Sequence, residues 1–432
     1  MVKLLGQPVR AASGLLVPVP HPGLLVCENS VASKRPVLVI GWMARIVVTV
    51  ARSLHRHGIP VDVANLLSWP HPKSRAIREY KHFPRPDLDA TGFLSQVRDF
   101  IQRGGQDMVI PADDQALAAL TEHYYDLTDL VHLACPPPDI TRLVLDKCSS
   151  LQLAQKCGLR IPKTMLVSHS DQLFDSLSEF SFPLVVKPAR KDVRMEEAKS
   201  ITLRTTNEVQ ARFPSPGPFS IPMLLQEYCA GAGVGIEMLM HQGECLAVFQ
   251  HRRLKEFPYT GGVSVAAVSE QPNPGLVAKS LALLRALKWE GPAMVEFKVH
   301  AQDGSAVFME VNGRYWGTLS LPVQAGIDFP FYHWQVLHGE VPCVPENYAV
   351  GMKWRWTAAH IGRFHGLLWA SQHSSAARRE LLRSLVQLPT LFNPSVRDAI
   401  FMFSDPMPAI LELTRSLKDV WSYDTKALLR RL

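Results

Sequence analysis

Short apolar runs alternate with amphipathic stretches along the first third of the chain. Val37–Ile40 is a run of four apolar residues that ends at Gly41, which is typical of a buried parallel strand. A helical pattern follows over about 44–57, and a second strand is predicted over 61–64. Further helices and strands are predicted over 93–103, 108–111 and 115–122. This order predicts a small doubly wound α/β domain over residues 35–140.

The pattern changes after a stiff connector at 136–138, where three prolines follow one another. The stretch 139–158 is predicted to be one helix, and 183–188 a strand. Closely spaced strands then follow, with a helix over 276–287 among them. The predicted strands are 224–228, 234–241, 245–252, 263–268, 294–300 and 306–311. Short gaps between them indicate an antiparallel sheet, so residues 141–342 are predicted to form a second, α+β domain.

The two ends of the chain differ from this core. An N-terminal arm is predicted over 1–34, because prolines and a glycine interrupt its apolar run over 15–26 and no clean cleavage site follows it. Residues 343–432 are predicted to be helical and basic, with twelve Lys or Arg against six Asp or Glu from residue 353 onward. Such a region either packs on the core through one face or lies on a membrane surface, and both interpretations stay open.

Composition narrows the class of protein. The chain has 432 residues, 47% hydrophobic and 20% charged, which predicts a soluble globular protein of more than one domain. The seven cysteines include no C-x-x-C pair, so free thiols in a reducing cytoplasm are expected. A net charge of +7 favours small anionic partners such as nucleotides. Nucleic-acid binding would rest on charge alone and is not predicted. The oligomeric state is left open, a homodimer included.

Candidate chemistry concentrates on one predicted hairpin, in which 301–305 joins the last two strands. Residues whose numbers sum to about 607 face each other, so Glu296 lies nearly opposite Glu310. Strand alternation places five polar side chains on one face and five apolar ones on the other. The polar set is Glu296, Lys298, Glu310, Asn312 and Arg314, and the apolar set is Val295, Phe297, Val299, Met309 and Val311.

This polar face predicts a metal site. Adjacent carboxylates repel unless a positive charge lies between them, and the oxygen ligands of Glu296, Glu310 and Asn312 suit Mg²⁺ or Mn²⁺ shared with substrate phosphates. Arg314 can clamp a phosphate or carboxylate through its planar fork. The alternative is an exposed face with ordinary cross-strand ion pairs.

Three other segments carry candidate or excluded chemistry. His251 and Arg253 share a strand face and precede glycines that allow close backbone approach, although a solvated basic strand would show the same pattern. Asp113 and Asp114 follow a predicted strand, where they either contact a substrate or cap the next helix. The turn after Val37–Ile40 holds one glycine, so a dinucleotide site is not predicted. Neither a Ser-His-Asp nor a Cys-His arrangement stands out, which argues against a covalent nucleophile.

In order along the chain, four motifs resemble those of the ATP-grasp superfamily, and the resemblance covers about 35–340. They are Asp146-Lys147 at a helix start, Val185-Val186-Lys187-Pro188, Leu224-Leu225-Gln226-Glu227-Tyr228, and Glu296 followed by Glu310-x-Asn312-x-Arg314. The resemblance implies a two-subdomain ATP-grasp fold with a hinge near 224–230, preceded by the smaller α/β domain.

The resemblance also implies roles for these residues. Lys147 and Lys187 would contact ATP phosphates. Glu296, Glu310 and Asn312 would hold Mg²⁺, and Arg314, Arg253 and His251 would face the acyl substrate or the transferring phosphoryl group. Adenine would lie against the hinge residues Gln226, Glu227, Tyr228 and Cys229.

Two segments depart from the family pattern. The lid over 189–200 carries Arg190, Lys191 and Arg194, where relatives are rich in Gly and Ser. An acidic residue for the ribose is missing just after the hinge, and Glu237 is the nearest one.

The resemblance implies an ATP- and Mg²⁺-dependent ligase that forms a carbon–nitrogen or carbon–sulfur bond. A small-molecule carboxylate would be activated as an acyl phosphate and then attacked by an amine or thiol. The unusual lid keeps open an inactive nucleotide-binding regulatory or assembly protein. A third interpretation, carbamoyl-phosphate or carboxylase-like chemistry on bicarbonate, would share the ATP site.

Overall fold

A parallel five-stranded sheet forms the first part of the fold in the computed structural model, which describes residues 34–67, 70–193, 200–214, 217–258, 261–372, 374–386, 393 and 395–421. The predicted N-terminal arm lies outside these residues apart from Lys34. The strands are β1 (Val37–Ile40), β2 (Val61–Asn65), β3 (Glu79–His82), β4 (Met108–Pro111) and β5 (His132–Leu133), in the order β3-β2-β1-β4-β5. The helices are α1 (Ala44–Arg56), α2 (Ala90–Gly104), α3 (Asp114–Glu122) and α4 (Tyr124–Thr128).

Burial explains this sheet. Every residue of β1, β2 and β4 is buried, as the apolar runs of β1 and β4 predict for central parallel strands, and β2 also buries Asp62 and Asn65. The edge strands β3 and β5 were not predicted, because β3 is polar and partly exposed and β5 has two residues. The carboxyl ends of β1, β2 and β4 meet at one edge of the sheet, where α/β proteins place their ligands. Asp114, which follows β4 at this edge, contacts Arg314.

The predicted single helix over 139–158 is two helices, α5 (Pro138–Leu145) and α6 (Lys147–Lys156). Asp146 between them has an extended backbone, and its carboxylate accepts a hydrogen bond of 3.0 Å from Ser149 N. The prediction of one helix was wrong because Asp146 acts as an N-cap, which starts a new helix and cannot continue the old one. Lys147 is thereby placed in the first turn of α6.

A four-stranded antiparallel sheet follows, in the order β6-β9-β7-β8. Its strands are β6 (Thr164–His169), β7 (Leu184–Pro188), β8 (Ile201–Leu203) and β9 (Pro218–Glu227), and α7 (Ser170–Ser176) and α8 (Thr206–Arg212) cover one face. Val186 and Leu225 are paired and point to those helices. Lys187 and Leu224 are paired on the opposite face, so Lys187 points away from the α7–α8 layer.

The largest sheet has seven strands in the order β14-β13-β10-β11-β12-β15-β16. They are β10 (Ala232–His241), β11 (Glu244–Phe257), β12 (Val263–Glu270), β13 (Gly291–Val299), β14 (Ala306–Asn312), β15 (Lys353–Arg355) and β16 (Arg397–Asp398). The five strands from β10 to β14 are antiparallel, as predicted. One face packs on α6 and α9 (Pro274–Ala286). The predicted fold class is confirmed.

The C-terminal region contains helices α10 (Ser320–Ala325), α11 (Phe329–Leu337), α12 (Thr357–Ala370), α13 (Ser375–Val386) and α14 (Met407–Trp421). Its predicted helical character is incomplete, because β15 pairs with β12 and extends the large sheet. Trp354 and Trp356 are buried there, whereas Trp369 is exposed. Among the described residues, no helix is both long and apolar enough to cross a membrane.

A buried histidine of α11 predicts a pH dependence of stability. His333 is buried beside Gly291, and burial lowers its pKa to about 3. The folded pKa lies below the unfolded value of about 6.5, so the unfolded chain binds the extra proton between these values. The contribution of neutral His333 to the free energy of unfolding is complete above about pH 6.5 and is lost as the pH falls from about 6.5 toward about 3. We expect His333→Gln to reduce the slope of unfolding free energy against pH by up to about 1.4 kcal/mol per pH unit.

Urea unfolding at about pH 7 and about pH 5 checks this expectation. His55, which is exposed on α1, offers the control His55→Gln, which should leave the slope as in the wild type. Equal slopes for His333→Gln and the wild type would contradict the assignment.

Candidate active site

The β13–β14 hairpin brings the two predicted glutamates together. Glu296 pairs directly with Glu310, and Met294 pairs with Asn312, so the predicted register is confirmed. A bulge follows Glu296 and makes Phe308 the partner of Phe297. The prediction that Met309 shares the apolar face with Val311 was wrong, because the extra residue of the bulge places Phe308 in the core instead. Met309 is partly exposed.

Charged side chains from five regions of the chain gather around this hairpin. We call them the charged cluster, and they are Asp114, Lys147, Lys187, Lys191, Arg253, Glu256, Glu296, Lys298, Glu310 and Arg314. Six are cations and four are carboxylates, so the cluster carries an excess of positive charge. That excess suits a polyanionic ligand such as a nucleotide triphosphate.

Glu310 lies at the cationic end of the cluster. Lys191 Nζ is 3.3 Å from Glu310 Oε2 and donates a hydrogen bond of 2.6 Å to the carbonyl oxygen of Val311. Burial alone would raise the pKa of Glu310, but Lys191, Lys147, Lys187 and Arg314 outweigh it and hold that pKa well below its usual range. Glu310 is therefore an anion at neutral pH.

Glu296 has a different environment across the hairpin. Arg253 donates a hydrogen bond of 2.5 Å to Glu296 Oε2, and Arg253 also lies 3.4 Å from Glu256 Oε1. Burial raises the pKa of Glu296, Arg253 opposes that shift, and the neighbouring Glu310 adds to it. Of the two adjacent carboxylates, Glu310 is therefore the one whose ionised form its surroundings favour more strongly.

The same face provides oxygen ligands for a metal ion. Asn312 is buried and donates its amide N–H to Glu310 Oε1 at 3.3 Å, which leaves its carbonyl oxygen for another partner. Two carboxylates and an amide oxygen fit a hard divalent cation. No group of three or more His, Cys, Asp or Glu side chains suited to a metal occurs in the described part of the chain. Three protein oxygen ligands leave positions of an octahedral Mg²⁺ open to phosphate oxygens and water.

The two predicted lysines approach the cluster from separate elements. Lys147 Nζ, at the start of α6, donates hydrogen bonds to the carbonyl oxygens of Pro188 at 2.7 Å and Arg190 at 3.2 Å. Burial lowers the pKa of Lys147 to about 8. Lys187 on β7 is 7% exposed, and its ammonium has no hydrogen bond or ion pair among the described residues. Burial lowers the pKa of Lys187 too. A buried ammonium without a partner is suited to receive an anion.

Two glycines of β10 let the basic strand β11 enter the site. A Cβ at Gly235 would lie 2.5 Å from His251 Cε1 and 2.9 Å from Met294 Sδ, and a Cβ at Gly233 would lie 2.8 Å from Arg253 Cδ. His251 is the cross-strand partner of Gly235. The glycines that follow the hinge therefore provide the space that both side chains fill.

This close approach predicts that Gly235→Ala is destabilising. The new methyl group has to displace the buried His251 ring or Met294, which we expect to lower the free energy of unfolding by about 1–3 kcal/mol. Chemical denaturation measures it. The control Gly275→Ala adds its methyl in the first turn of α9, where the nearest neighbour is Asn273 Oδ1 at 3.3 Å. Equal stability of the two variants would contradict the predicted crowding.

His251 and Glu237 lie close together behind the charged cluster. His251 Nδ1 is 2.8 Å from Glu237 Oε1, and both side chains are fully buried. Burial lowers the pKa of His251 to about 3 and raises that of Glu237 well above its ordinary value. Thr318 Oγ1 lies 3.5 Å from the other ring nitrogen. The two groups are close, but His251 Nδ1 and both Glu237 oxygens have no hydrogen-bond partner among the described residues. The predicted roles of His251 toward substrate and Glu237 toward ribose stay predictions.

Arg314 is fixed by a residue of the parallel-sheet domain. Its guanidinium donates to Asp114 Oδ2 at 2.9 Å and to the carbonyl oxygen of Tyr315 at 3.0 Å. Asp113 caps α3, since Ala116 N donates to its Oδ1 at 2.8 Å, and it also accepts from Trp42 N. Asp113 is therefore the helix cap, one of the two alternatives that the sequence left open. Asp114 instead binds Arg314.

The predicted hinge lies at the end of β9. Gln226 is buried and donates to Thr164 Oγ1 at 2.8 Å, while its Oε1 is buried without a partner among the described residues. Glu227 is joined to Lys163 through both backbone and side chain, and Tyr228 is 40% exposed. Cys229 is half-buried next to them. An unsatisfied buried amide oxygen suits a ligand N–H, such as the amino group of a purine.

Comparisons with known proteins agree with this arrangement. A profile described as ATP-grasp in the biosynthetic pathway with Ter operon matches residues 220–358. An N5-carboxyaminoimidazole ribonucleotide synthetase in complex with ADP is similar over 74% of this chain and 81% of its own, with 15% identity and a TM-score of 0.59. The chain has the ATP-grasp fold.

Two further solved structures share the ATP-grasp fold of this chain. An L-amino acid ligase from Bacillus licheniformis is 18% identical over 70% of this chain and 74% of its own, with a TM-score of 0.54. A biotin carboxylase from Campylobacter jejuni, in a β,γ-ATP complex, is 12% identical over 75% of each chain, with a TM-score of 0.56. No curated protein matches this chain in sequence. The resemblance drawn from the four motifs is confirmed.

The first residues of the predicted lid contact other residues of this ATP-grasp domain. Arg190 pairs with Asp192 at 2.5 Å, whereas Lys191 points to Glu310. Arg194 and the rest of the lid to residue 199 lie outside the described residues, as do Tyr259 and Thr260. The first described residues of the lid thus contribute a side-chain cation where a glycine-rich lid has none.

The contacts of three members of the charged cluster could not be predicted from the sequence. Lys191, Glu256 and Asp114 meet the hairpin only through contacts between residues far apart in the chain. Acidic residues at a strand end do mark Asp114 as a candidate. For Lys191 and Glu256, only the folded structure shows what they contact.

Proposed function

We propose that this chain is an ATP- and Mg²⁺-dependent ligase. It activates a substrate carboxylate as an acyl phosphate, which an amine or thiol then attacks with release of phosphate. The observation that carries this proposal is the charged cluster, in which an anionic Glu310 and Glu296 lie among six cations on one sheet face.

Phosphoryl transfer requires positioning and charge neutralisation more than covalent chemistry from the protein. In the charged cluster every cation except Lys187 is held by carboxylates or backbone oxygens, as in the contacts of Lys147 and Lys191. Triphosphate oxygens can replace those partners without leaving a buried charge unpaired. The cluster therefore keeps its cations oriented before the nucleotide binds, which lowers the cost of reorganisation.

Glu296, Glu310 and Asn312 would hold Mg²⁺. The ion, when bound, neutralises charge on the phosphates and orients them. Lys187 has an unpaired ammonium and binds a phosphate oxygen, with Lys147 beside it. Arg314 is anchored by Asp114 and stabilises the transferring phosphoryl group. Arg253, held between Glu296 and Glu256, orients the substrate carboxylate near the metal ligands.

The comparisons support nucleotide use and ligase chemistry. Two of the three similar structures are named as complexes with ADP or an ATP analogue, and one is named as an amino acid ligase. These proteins share the fold at low identity, so substrate identity has to come from experiment.

A phosphate-release assay with MgATP tests the proposal. The chain is incubated with a panel of carboxylates, alone and with amines or thiols, and bicarbonate is included as a separate arm. We expect release that needs a carboxylate, with a product containing the new amide or thioester. Binding of ATP by calorimetry without turnover across the panel would favour the inactive nucleotide-binding protein instead. Release with bicarbonate alone would favour carboxylase-like chemistry.

A further inference from the structure

A second concentration of polar groups lies apart from the metal-binding face. It lines a pocket between the parallel-sheet domain and helices α12 and α14, at the edge where β1 and β2 end. The β1–α1 turn forms one wall, and Glu412 on α14 lies in the other.

Arg45, in the first turn of α1, is a buried cation without a carboxylate partner. Its side chain is 8% exposed, and its guanidinium lies 3.9 Å from the centre of the Trp356 ring. The one hydrogen bond it donates within the described chain goes to Met43 Sδ at 3.9 Å, and its Nε is buried without a partner. Burial lowers the pKa of Arg45 to about 10, so it stays charged at neutral pH. A guanidinium has five N–H donors, and those not directed at Met43 are left for a ligand.

Glu412 gives the pocket an opposite charge. Its Oε2 accepts a hydrogen bond of 3.0 Å from Trp356 Nε1, and its Oε1 has no partner among the described residues. Burial raises the pKa of Glu412 to about 7, and Arg45 opposes that shift. Arg45 and Glu412 influence each other but form no direct ion pair. Trp356 contacts both side chains, so it holds the two charges apart.

Arg45 also connects this pocket with the charged cluster. A Cβ at Gly317 would lie 2.8 Å from Arg45 Nε and NH2, so the segment that follows Arg314 has a glycine where the guanidinium passes. The positive charges of Arg314 and Arg253 act on Arg45. A ligand in the pocket therefore lies next to the segment that carries Arg314.

We propose that this pocket binds a free amino acid, with its carboxylate on Arg45 and its ammonium group on Glu412. A carboxylate satisfies the unpaired guanidinium, and an ammonium group satisfies the free Glu412 oxygen. An anion without an amino group would leave Glu412 beside a second negative charge. The inference rests on the proposed ligase function only for what becomes of the amino acid, since binding itself requires no ATP.

Calorimetric titration of the full chain without ATP tests the proposal. The probes are the twenty protein amino acids, followed for the best binder by the acid that lacks its amino group and the amine that lacks its carboxylate. We expect the amino acid to bind at least about tenfold more tightly than either. Glu412→Gln should remove the preference over the acid alone, and Arg45→Met the preference over the amine alone. Arg56→Met, on the exposed part of α1, should bind as the wild type does.

The proposal is overturned if no amino acid binds, if the acid binds as tightly as the amino acid, or if neither variant changes selectivity. Thermal unfolding and ATP affinity show whether each variant is folded. If Arg45→Met is not folded, Arg45→Lys replaces it in the test, because lysine keeps the charge but lacks the planar fork of arginine. Phosphate release separates the two proposals. Amino acid binding without turnover contradicts the ligase alone. Turnover with a carboxylate, together with no amino acid binding in the calorimetric titration, contradicts this pocket alone.

Discussion

Glu310→Gln should lower ATP-dependent phosphate release by about a thousandfold or more, because it removes the anion that would coordinate Mg²⁺. Glu310 is the member of the glutamate pair that four cations keep ionised. The neutral amide has the same shape, so the protein should still fold. Lys191 loses its carboxylate partner at 3.3 Å but keeps its hydrogen bond to Val311, which limits the structural damage.

Phosphate release at saturating MgATP, with the active member of the substrate panel, measures this effect. Glu244→Gln is the matched control, because Glu244 is exposed at the far end of β11 and pairs with Arg285. It should retain full activity. If Glu310→Gln also turned over at the wild-type rate, neither the metal site nor the ligase assignment would survive.

Arg314→Lys should reduce kcat by about a thousandfold, with little change in the KM for ATP. Arg314 reaches Asp114 and the carbonyl of Tyr315 with separate nitrogens, which leaves the guanidinium in one orientation. A lysine keeps the charge but cannot hold two partners and a phosphoryl oxygen in one plane. The loss should therefore appear in the chemical step rather than in nucleotide binding.

Steady-state kinetics with ATP varied separates these contributions. Arg285→Lys, which alters an exposed pair with Glu244, should leave both constants unchanged. Asp114→Asn should reproduce part of the loss, because it weakens the anchor of Arg314 without touching that residue. A change confined to the KM of ATP would place Arg314 on the nucleotide rather than on the transferring group.

The features that sequence predicts well here are local ones. The pairing of Glu296 with Glu310 follows from strand alternation and a short turn, both encoded within about twenty residues. The bulge that moves Phe308 into the core could not be read from the same alternation, since one inserted residue changes the face of those beyond it. Asp146 shows a related limit, because an N-cap inside a continuous helical pattern divides one helix into two.

Long-range contacts account for the rest. Lys191 reaches Glu310 across more than a hundred residues of chain, and Arg45 lies over Trp356 across about three hundred. Neither pattern has a period or spacing that marks it. The short strand β15 is equally hidden, because three residues in a helical, basic region carry too little signal for a strand.

That strand has a consequence for engineering the protein. β15 covers the edge of β12 along Ala266, Ala267 and Val268. A fragment that ends near residue 342, where the predicted ATP-grasp boundary falls, would leave this apolar edge open to pairing between molecules. Chimeras that exchange the C-terminal region with a relative should therefore join upstream of β15. The exchanged segment then contains β15, α12 and α14 together, so the strand that covers β12 and the helices that line the pocket come from the same protein.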